Sequence, residues 1–138
     1  EQCPILEFAD LADEIGKLVF FECVSSIPFD ILRVFYIYGS HDTVVRGCHA
    51  NRESEFVLIN VAGESKVRIK DGAEEIVVEL NKPMMGVYLP RMIWKEMYDF
   101  SPDSVLLVLA STHYDSEEYI RDFEVYLSEI NAGGSRKE

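Results

Sequence analysis

Short runs of apolar residues alternating with polar ones dominate the chain up to about residue 110. Such runs with a period of two residues are typical of β-strands with one buried face. Turn-forming residues separate the runs at the spacing expected for a β-sandwich or a β-barrel. We therefore predict an all-β fold with strands at residues 18–24, 31–38, 56–61, 66–70, 75–80, 86–89 and 105–110.

The dipeptide Asp71-Gly72 carries the strongest hairpin signal in the chain. A two-residue primed turn requires positive φ angles, and glycine adopts them without a steric penalty. We predict such a turn here, between the strand at residues 66–70 and the alternating run that follows it.

The apolar pattern changes to a helical period near residue 116. One stripe of the predicted helix contains Tyr119, Ile120, Phe123, Leu127 and Ile130.

This C-terminal helix is predicted to run from residue 116 to about 130. Asp115 is its expected N-cap, with Glu118 reaching back as in a capping box. Residues 131–134 contain two glycines and are expected to end it. We expect the helix to pack outside the sheets or on a partner subunit. The chain then divides into a single domain over residues 1–134 and a frayed tail over residues 135–138.

Length and charge narrow the possible functions. The 138 residues fit one domain, and 48% of them are apolar, which suffices for one core. The formal net charge of −12 argues against binding nucleic acid or an anionic membrane surface, because such binding requires many exposed cations. A small anionic ligand can still bind where a few arginines converge.

The lack of targeting signals and the spacing of the cysteines favour a cytoplasmic location. No apolar run reaches the length of a membrane span, and the first four residues lack the pattern of a signal peptide. The cysteines are three in number, and none has the spacing of a disulfide framework or a zinc site.

The polar, cationic segment at residues 46–55 stands out between apolar runs. On an extended chain His49 and Asn51 point to one face, whereas Cys48 and Ala50 point to the other. Cys48 and His49 are therefore not expected to form a nucleophile–base pair. A metal site is not expected either, because only His49 and Glu55 offer ligands here. His49 remains either a structural residue or a catalytic base.

Several segments together resemble the dTDP-sugar 3,4-ketoisomerases, also called WxcM-like sugar isomerases, over nearly the whole chain. The matching segments are RVFYI at residues 33–37, RGCHA at 46–50, WKEMYDFS at 94–101, VLLVLAS at 105–111, Tyr114-Asp115 and YIRD at 119–122.

The resemblance implies an RmlC-like cupin jelly-roll barrel that forms a homodimer and needs no cofactor. Members convert a dTDP-4-keto-6-deoxyhexose into its 3-keto isomer through an enediol, in the biosynthesis of surface-polysaccharide deoxysugars such as those of O-antigen. It assigns the role of base to His49, whose type of side chain titrates near neutrality. Arg33 and Arg46 match positions that can hold the pyrophosphate. Tyr36 and Tyr38 are expected either to line the pocket or to pack in the core.

The chain differs from the family pattern at three places. Asn51 replaces the second histidine of His-x-His, Ile15 replaces a polar residue, and Lys95 follows Trp94 where histidine is common. Because an asparagine side chain does not exchange protons near neutral pH, the second proton-transfer role falls to Lys95 or to a tyrosine, or His49 carries the proton alone. A sugar-nucleotide epimerase, a non-catalytic sugar-nucleotide-binding or scaffold protein, and a metal-dependent oxygenase remain as alternatives.

Overall fold

Twelve strands and one α-helix make up most of the regular structure in the described part of the chain. The computed structural model describes residues 2–137, apart from the side chains of Asp13 and of residues 133–137. The strands are β1 Ile5–Glu7, β2 Asp10–Asp13, β3 Gly16–Val19, β4 Arg33–Tyr38, β5 Arg46–Asn51, β6 Phe56–Ala62, β7 Ser65–Lys70, β8 Glu75–Leu80, β9 Met85–Leu89, β10 Trp94–Tyr98, β11 Val105–Ala110 and β12 Tyr119–Ile120, and the helix is α1 Phe123–Lys137.

The strands form two five-stranded antiparallel sheets. The first has the order β1-β9-β6-β11-β4, and the second has the order β12-β5-β10-β7-β8. Strands β2 and β3 form a separate two-stranded hairpin. The predicted all-β class with a C-terminal helix is confirmed, but within the described residues the two large sheets do not join into one closed barrel.

The main core lies between the two large sheets. Alternate residues of β7 are buried because that strand has one face on the core and one face outward. The buried side chains that meet there include Phe56, Leu58, Val67, Ile69, Leu80, Val87, Leu89, Met97, Leu106 and Val108.

Each sheet also has a covered outer face. Residues of the N-terminal region, Phe8, Ile27 and Phe29 among them, pack on Val57 and Leu109 of the first sheet. The helix α1 covers the second sheet, where Trp94 forms edge contacts with Phe123 at a centroid distance of 5.1 Å. The helix therefore packs outside the sheets, as predicted.

The C-terminal segment differs from the single helix that its pattern predicts. Asp115 caps a 3₁₀ turn at Ser116–Glu118, and β12 then pairs with β5. The α-helix begins only at Phe123, where the Asp122 carboxylate accepts hydrogen bonds from the backbone N–H groups of Glu124 and Val125. The pattern missed β12 because a strand of two residues is too short to show a period of two, and both residues also fit the helical stripe.

The end of the helix also differs from the prediction. Residues 131–134 do not stop it, and α1 continues to Lys137. Residue 138 of the predicted frayed tail lies outside the described residues, so fraying of this tail stays a prediction.

Two further expectations about strands and turns need correction. The predicted strand at residues 18–24 forms a strand only up to Val19. The hairpin between β7 and β8 is present, but its loop has four residues, because Lys70 pairs with Glu75. Asp71 shapes this longer loop by accepting hydrogen bonds from the N–H groups of Ala73 and Glu74, and Gly72 has a φ of 97°.

No helix in the described part of the chain has both the length and the apolar character required to cross a membrane.

Tyr126 fixes α1 to the second sheet. Its side chain is fully buried, and its hydroxyl lies 3.0 Å from the carbonyl oxygen of Lys70 and 2.9 Å from that of Met92. We expect Tyr126→Phe to lower the free energy of unfolding by about 1–2 kcal/mol, because it removes the hydroxyl that bonds to these two part-buried carbonyl groups. Urea unfolding measures this change. Tyr98→Phe, which keeps the ring that packs against Arg68, serves as control, and an equal loss in both variants would contradict the interpretation.

Candidate active site

A β-bulge in β5 determines which side chains of this strand face the space between the sheets. Lys95 pairs with His49, but the next residue, Glu96, pairs with Gly47, so Cys48 is an extra residue. Gly47 and Cys48 both have positive φ angles. Glycine fits position 47 because its φ of 83° is unfavourable for other residues, and a Cβ atom there would lie 3.1 Å from the carbonyl oxygen of Lys95.

The bulge has a direct consequence for the site. Arg46 and His49 are three residues apart, and in a regular strand they would point to opposite faces. The extra residue brings both side chains to the same cavity, while Ala50 packs on the outer face beneath α1.

This cavity has a volume of about 430 Å³, within the range of small-molecule sites. It lies between the sheets at the end where β4, β5 and β10 come together. Its walls are formed by Phe35, Tyr36, Ile37, Tyr38, Arg46, Gly47, His49, Phe56, Leu58, Lys95, Met97, Val108 and Tyr119.

The His49 imidazole lies against the ring of Tyr119, with a centroid distance of 4.7 Å. Burial, followed by the positive charge of Lys95, lowers the pKa of His49 to about 4. The imidazole is therefore neutral at physiological pH and can accept a proton.

Lys95 is the buried cation of the site. Only 4% of its surface is exposed, and its Nζ donates a 3.0 Å hydrogen bond to Oδ1 of Asn51. The same Nζ lies 4.7 Å from the centroid of the Phe56 ring, a favourable cation–π distance. Burial lowers the pKa of Lys95 to about 7, against the opposing influence of the Glu118 carboxylate.

Asn51 connects Lys95 to Glu118. Its Nδ2 donates a 2.5 Å hydrogen bond to Oε2 of Glu118, and both side chains are buried. Burial alone would raise the pKa of Glu118, but hydrogen bonds from Ser54, from the Glu53 backbone and from Asn51 lower it below its usual range. Glu118 is therefore ionised, and one side chain, that of Asn51, connects its carboxylate to the Lys95 amine.

Three arginines lie around the cavity in different ways. Arg46 lines the wall, with its Nε 3.3 Å from Oγ of Ser40. Arg121 is exposed, and its guanidinium lies over the Tyr119 ring at 4.7 Å. Arg33 lies behind the wall, donates to the Tyr119 hydroxyl at 3.3 Å, and has two buried nitrogens, Nε and Nη2, without a hydrogen-bond partner among the described residues.

Comparison with known proteins gives this arrangement its context. A family model described as FdtA: WxcM-like, C-terminal matches residues 1–131. The chain belongs to this family.

Characterised relatives of the family are similar over almost their full length. TDP-4-oxo-6-deoxy-α-D-glucose-3,4-oxoisomerase of Aneurinibacillus thermoaerophilus is 38% identical over 130 residues, which are 92% of this chain and 94% of that protein.

Two solved structures show the same similarity. A mutant of the 3,4-ketoisomerase QdtA from Thermoanaerobacterium thermosaccharolyticum, in complex with TDP-4-keto-6-deoxyglucose, is 40% identical with a TM-score of 0.92, and 95% of each chain is covered. WlaRA, a TDP-fucose-3,4-ketoisomerase from Campylobacter jejuni, is 39% identical with a TM-score of 0.90, and 96% of this chain and 98% of that chain are covered. The predicted family and the predicted class of enzyme, a sugar-nucleotide isomerase, are confirmed.

The structure brings most of the predicted site residues of this FdtA/WxcM-like chain together. His49 and Lys95 lie side by side on neighbouring strands, and both line the cavity together with Arg46. Tyr36 and Tyr38 also line the cavity, whereas the sequence left open whether they line the pocket or pack in the core.

Three positions that were predicted to belong to the site, or that differ from the family pattern, lie outside the cavity. Asn51 is buried behind Lys95 and does not line the cavity, and neither does Arg33. Ile15 lies at the tip of the β2–β3 hairpin and is 95% exposed. In the described part of the chain, no group of three histidine, cysteine, aspartate or glutamate side chains could hold a metal ion.

Sequence reasoning missed Glu118, Tyr119 and Arg121. The pattern placed these residues on a helix without chemistry, whereas the 3₁₀ turn and β12 bring them beside β5. Tyr119 and Arg121 belong to the YIRD segment of the family resemblance, and this was the one signal for them in the sequence.

The pKa of Lys95 generates a prediction for stability. Since its value of about 7 in the folded protein lies below the ordinary 10.5, the unfolded chain binds more protons between these two pH values. The contribution of this group therefore makes the free energy of unfolding rise with pH across that interval. Lys95→Met should lack this rise in urea unfolding measured between about pH 7 and pH 10. Lys82→Met, at an exposed lysine, should keep it, and an unchanged slope in Lys95→Met would contradict the prediction.

Proposed function

We propose that the protein catalyses the 3,4-ketoisomerisation of a TDP-4-keto-6-deoxyhexose, with TDP-4-keto-6-deoxyglucose as the candidate substrate. The observation that carries this proposal is the pairing of His49 and Lys95 on adjacent strands of one cavity, one as a neutral base and the other as a buried amine that titrates near neutrality. The substrate class comes from the relatives, one of which is crystallised with this compound.

His49 transfers protons to and from carbon, and Lys95 transfers protons to and from oxygen. The neutral imidazole of His49 removes the proton from C3, and the Lys95 ammonium donates a proton to the C4 oxygen, which gives an enediol. The protonated His49 exchanges its proton with solvent and then protonates C4, while the Lys95 amine takes the proton from the C3 oxygen. The carbonyl moves from C4 to C3, both residues regain their starting forms, and no electrons are lost or gained.

The pyrophosphate of the substrate requires cations in a chain of net charge −12. Arg46 at the wall and Arg121 at the exposed side of Tyr119 are the groups we assign to it. Arg33 does not line the cavity. Its positive charge and its hydrogen bond to the Tyr119 hydroxyl support the ring that packs on His49. Tyr36 and Tyr38 form an exposed aromatic pair at the cavity, with their ring centroids 5.9 Å apart, and offer a surface for the nucleotide base.

We further infer that the two sheets are the two layers of a cupin jelly roll. Each sheet combines strands from the first and second halves of the chain, which is expected of a Greek-key β-sandwich. We assign the reaction to the cytoplasm, and the three cysteines support this because they form no disulfide.

The chemistry can be tested by hydrogen exchange. Incubation with TDP-4-keto-6-deoxyglucose in deuterated water should give the 3-keto isomer with deuterium at C4, followed by NMR. His49→Gln should lower kcat by about 10²–10⁴-fold, because it removes the proton-transfer group from carbon. His113→Gln, at an exposed histidine, is the control and should keep full activity.

Other results would exclude the proposal. Exchange at C5, or at C3 without a new ketone, would show an epimerase, and binding without exchange over hours would show a non-catalytic sugar-nucleotide-binding protein. Full activity of His49→Gln would mean that another group is the base.

The pH dependence of kcat/KM provides an independent test. His49 must be neutral and Lys95 must be protonated, so activity should be highest between the pKa of His49 at about 4 and that of Lys95 at about 7. It should fall below the first value because His49 gains a proton, and above the second because Lys95 loses one. A rate that stays constant from about pH 7 to pH 9 would exclude Lys95 as the acid.

We also propose that the protein is a homodimer in which the β2–β3 hairpin packs on a second copy. The hairpin is separate from the two large sheets, and a lone two-stranded hairpin is only marginally stable in water. Leu11 and Leu18 pair directly within it, yet they are 57% and 56% exposed. Apolar side chains in such a position are suited to a protein partner.

Light scattering tests this assembly. The protein should have a mass of about twice 15.8 kDa at micromolar concentration, and Leu11→Glu with Leu18→Glu should give the monomer. Lys17→Glu, in the same strand as Leu18, should leave the dimer intact. A monomeric parent protein would contradict the proposal.

A further inference from the structure

Glu118 ends a buried chain of polar groups that begins at the cavity. Its carboxylate accepts four hydrogen bonds, from Nδ2 of Asn51 at 2.5 Å, from the N–H groups of Glu53 and Ser54 at 2.8 and 3.0 Å, and from Oγ of Ser54 at 2.5 Å. Only 6% of Glu118 is exposed, and it does not line the cavity. A carboxylate held this firmly behind a reactive lysine suggests a role beyond folding.

Lys95 and Glu118, at the two ends of this series of hydrogen bonds, determine the orientation of the Asn51 amide between them. An ammonium group can only donate hydrogen bonds, and an ionised carboxylate can only accept them. Asn51 therefore has to turn Oδ1 to Lys95 and Nδ2 to Glu118, as it does. A histidine at this position could make the same bridge with its two ring nitrogens, so Asn51 keeps the polarity of the bridge and loses only the ability to titrate.

We infer that Glu118 is a positioning residue for the isomerisation: through the Asn51 amide, it holds Lys95 as a hydrogen-bonded ammonium at the cavity wall. This inference rests on the proposed function, in which Lys95 donates a proton to the C4 oxygen. Without the carboxylate, the amide can turn its NH₂ group to Lys95, and the bridge then favours a neutral amine.

Every element packed around Lys95 bears on its charge. His49 of β5 is neutral, Phe56 of β6 presents its ring face, and Ile69 of β7 is apolar. The negative charge of Glu118 raises the pKa of Lys95 and Cys3 acts in the same direction, whereas burial lowers it. Glu118 is the stronger of these two acidic groups, and the Asn51 side chain connects it to Lys95 by hydrogen bonds.

Glu118→Gln is the decisive variant because it replaces one oxygen of the carboxylate by an NH₂ group. The amide oxygen of the new side chain would stay on the Glu53 and Ser54 N–H groups, so its NH₂ would face Asn51. Asn51 would then reverse and direct its own NH₂ at Lys95. We expect kcat to fall about 10- to 100-fold with little change in KM, and the alkaline limb of the pH profile to move to lower pH.

A second variant again places a hydrogen-bond acceptor next to Lys95. In Asn51→Asp combined with Glu118→Gln, the carboxylate introduced at position 51 accepts hydrogen bonds both from the NH₂ group introduced at position 118 and from Lys95, so the ammonium is favoured again. We expect kcat to recover to within about 3-fold of the parent, and the alkaline limb to move above its original pH. A residue with a purely structural role would make the double variant worse than the single one.

The control is Glu117→Gln, at the exposed neighbour of Glu118, which should match the parent in rate and pH profile. An unchanged kcat and alkaline limb in Glu118→Gln would overturn the inference. If that variant fails to fold, the double variant decides alone: an alkaline limb at or below that of the parent overturns the inference, and one above it supports the inference.

The coupling of Glu118 to Lys95 can be tested independently of the proposed reaction. Titration of the ¹³C-labelled Lys95 side chain by NMR needs no substrate, and Glu118→Gln should lower the pKa of this amine while the double variant should raise it. A parent protein without isomerase activity but with these shifts would refute the proposed function and leave the Glu118–Asn51–Lys95 coupling standing. Active protein without these shifts would refute the coupling alone.

Discussion

The site depends on holding a lysine amine away from water. Burying an ammonium is unfavourable unless nearby groups compensate for the lost hydration. Here the compensation comes from the Asn51 amide, from the face of the Phe56 ring and, beyond the Asn51 side chain, from the Glu118 carboxylate. It is partial, and for that reason the amine titrates near neutrality. A fully compensated ion pair would hold its proton too strongly to donate it during a reaction.

The backbone provides the geometry that this arrangement needs. The bulge at Gly47 and Cys48 turns Arg46 and His49 to the same cavity, and the pairing of β5 with β10 sets His49 next to Lys95. The same strand pairs with β12 on its other side, which brings Tyr119 against the imidazole. Strand β5 thus receives cavity-lining neighbours from two distant parts of the chain, and a shift of its register would separate them.

The sequence predicted the elements whose pattern is regular. The apolar alternation of β6, β7 and β11 identified these strands and the all-β class. It did not identify β5, because Arg46, His49 and Asn51 interrupt the apolar pattern there, nor β10, because Trp94 and Lys95 are buried on opposite faces. His49 and Lys95 were recognised separately through family resemblance. Their contact depends on strand register and a bulge, which are non-local. Glu118 was interpreted as a helix cap, since local spacing cannot distinguish a capping carboxylate from one that reaches a strand 67 positions away.

The position of Glu118, Tyr119 and Arg121 late in the chain has a consequence for how the protein matures. Synthesis proceeds from the N-terminus, so the strands that carry His49 and Lys95 leave the ribosome before these three residues do. Until the 3₁₀ turn and β12 dock, the loop at Glu53 and Ser54 lacks its acceptor and the imidazole lacks its aromatic neighbour. A nascent chain can therefore bury much of its core before the surroundings of His49 and of the loop at Glu53 and Ser54 are complete.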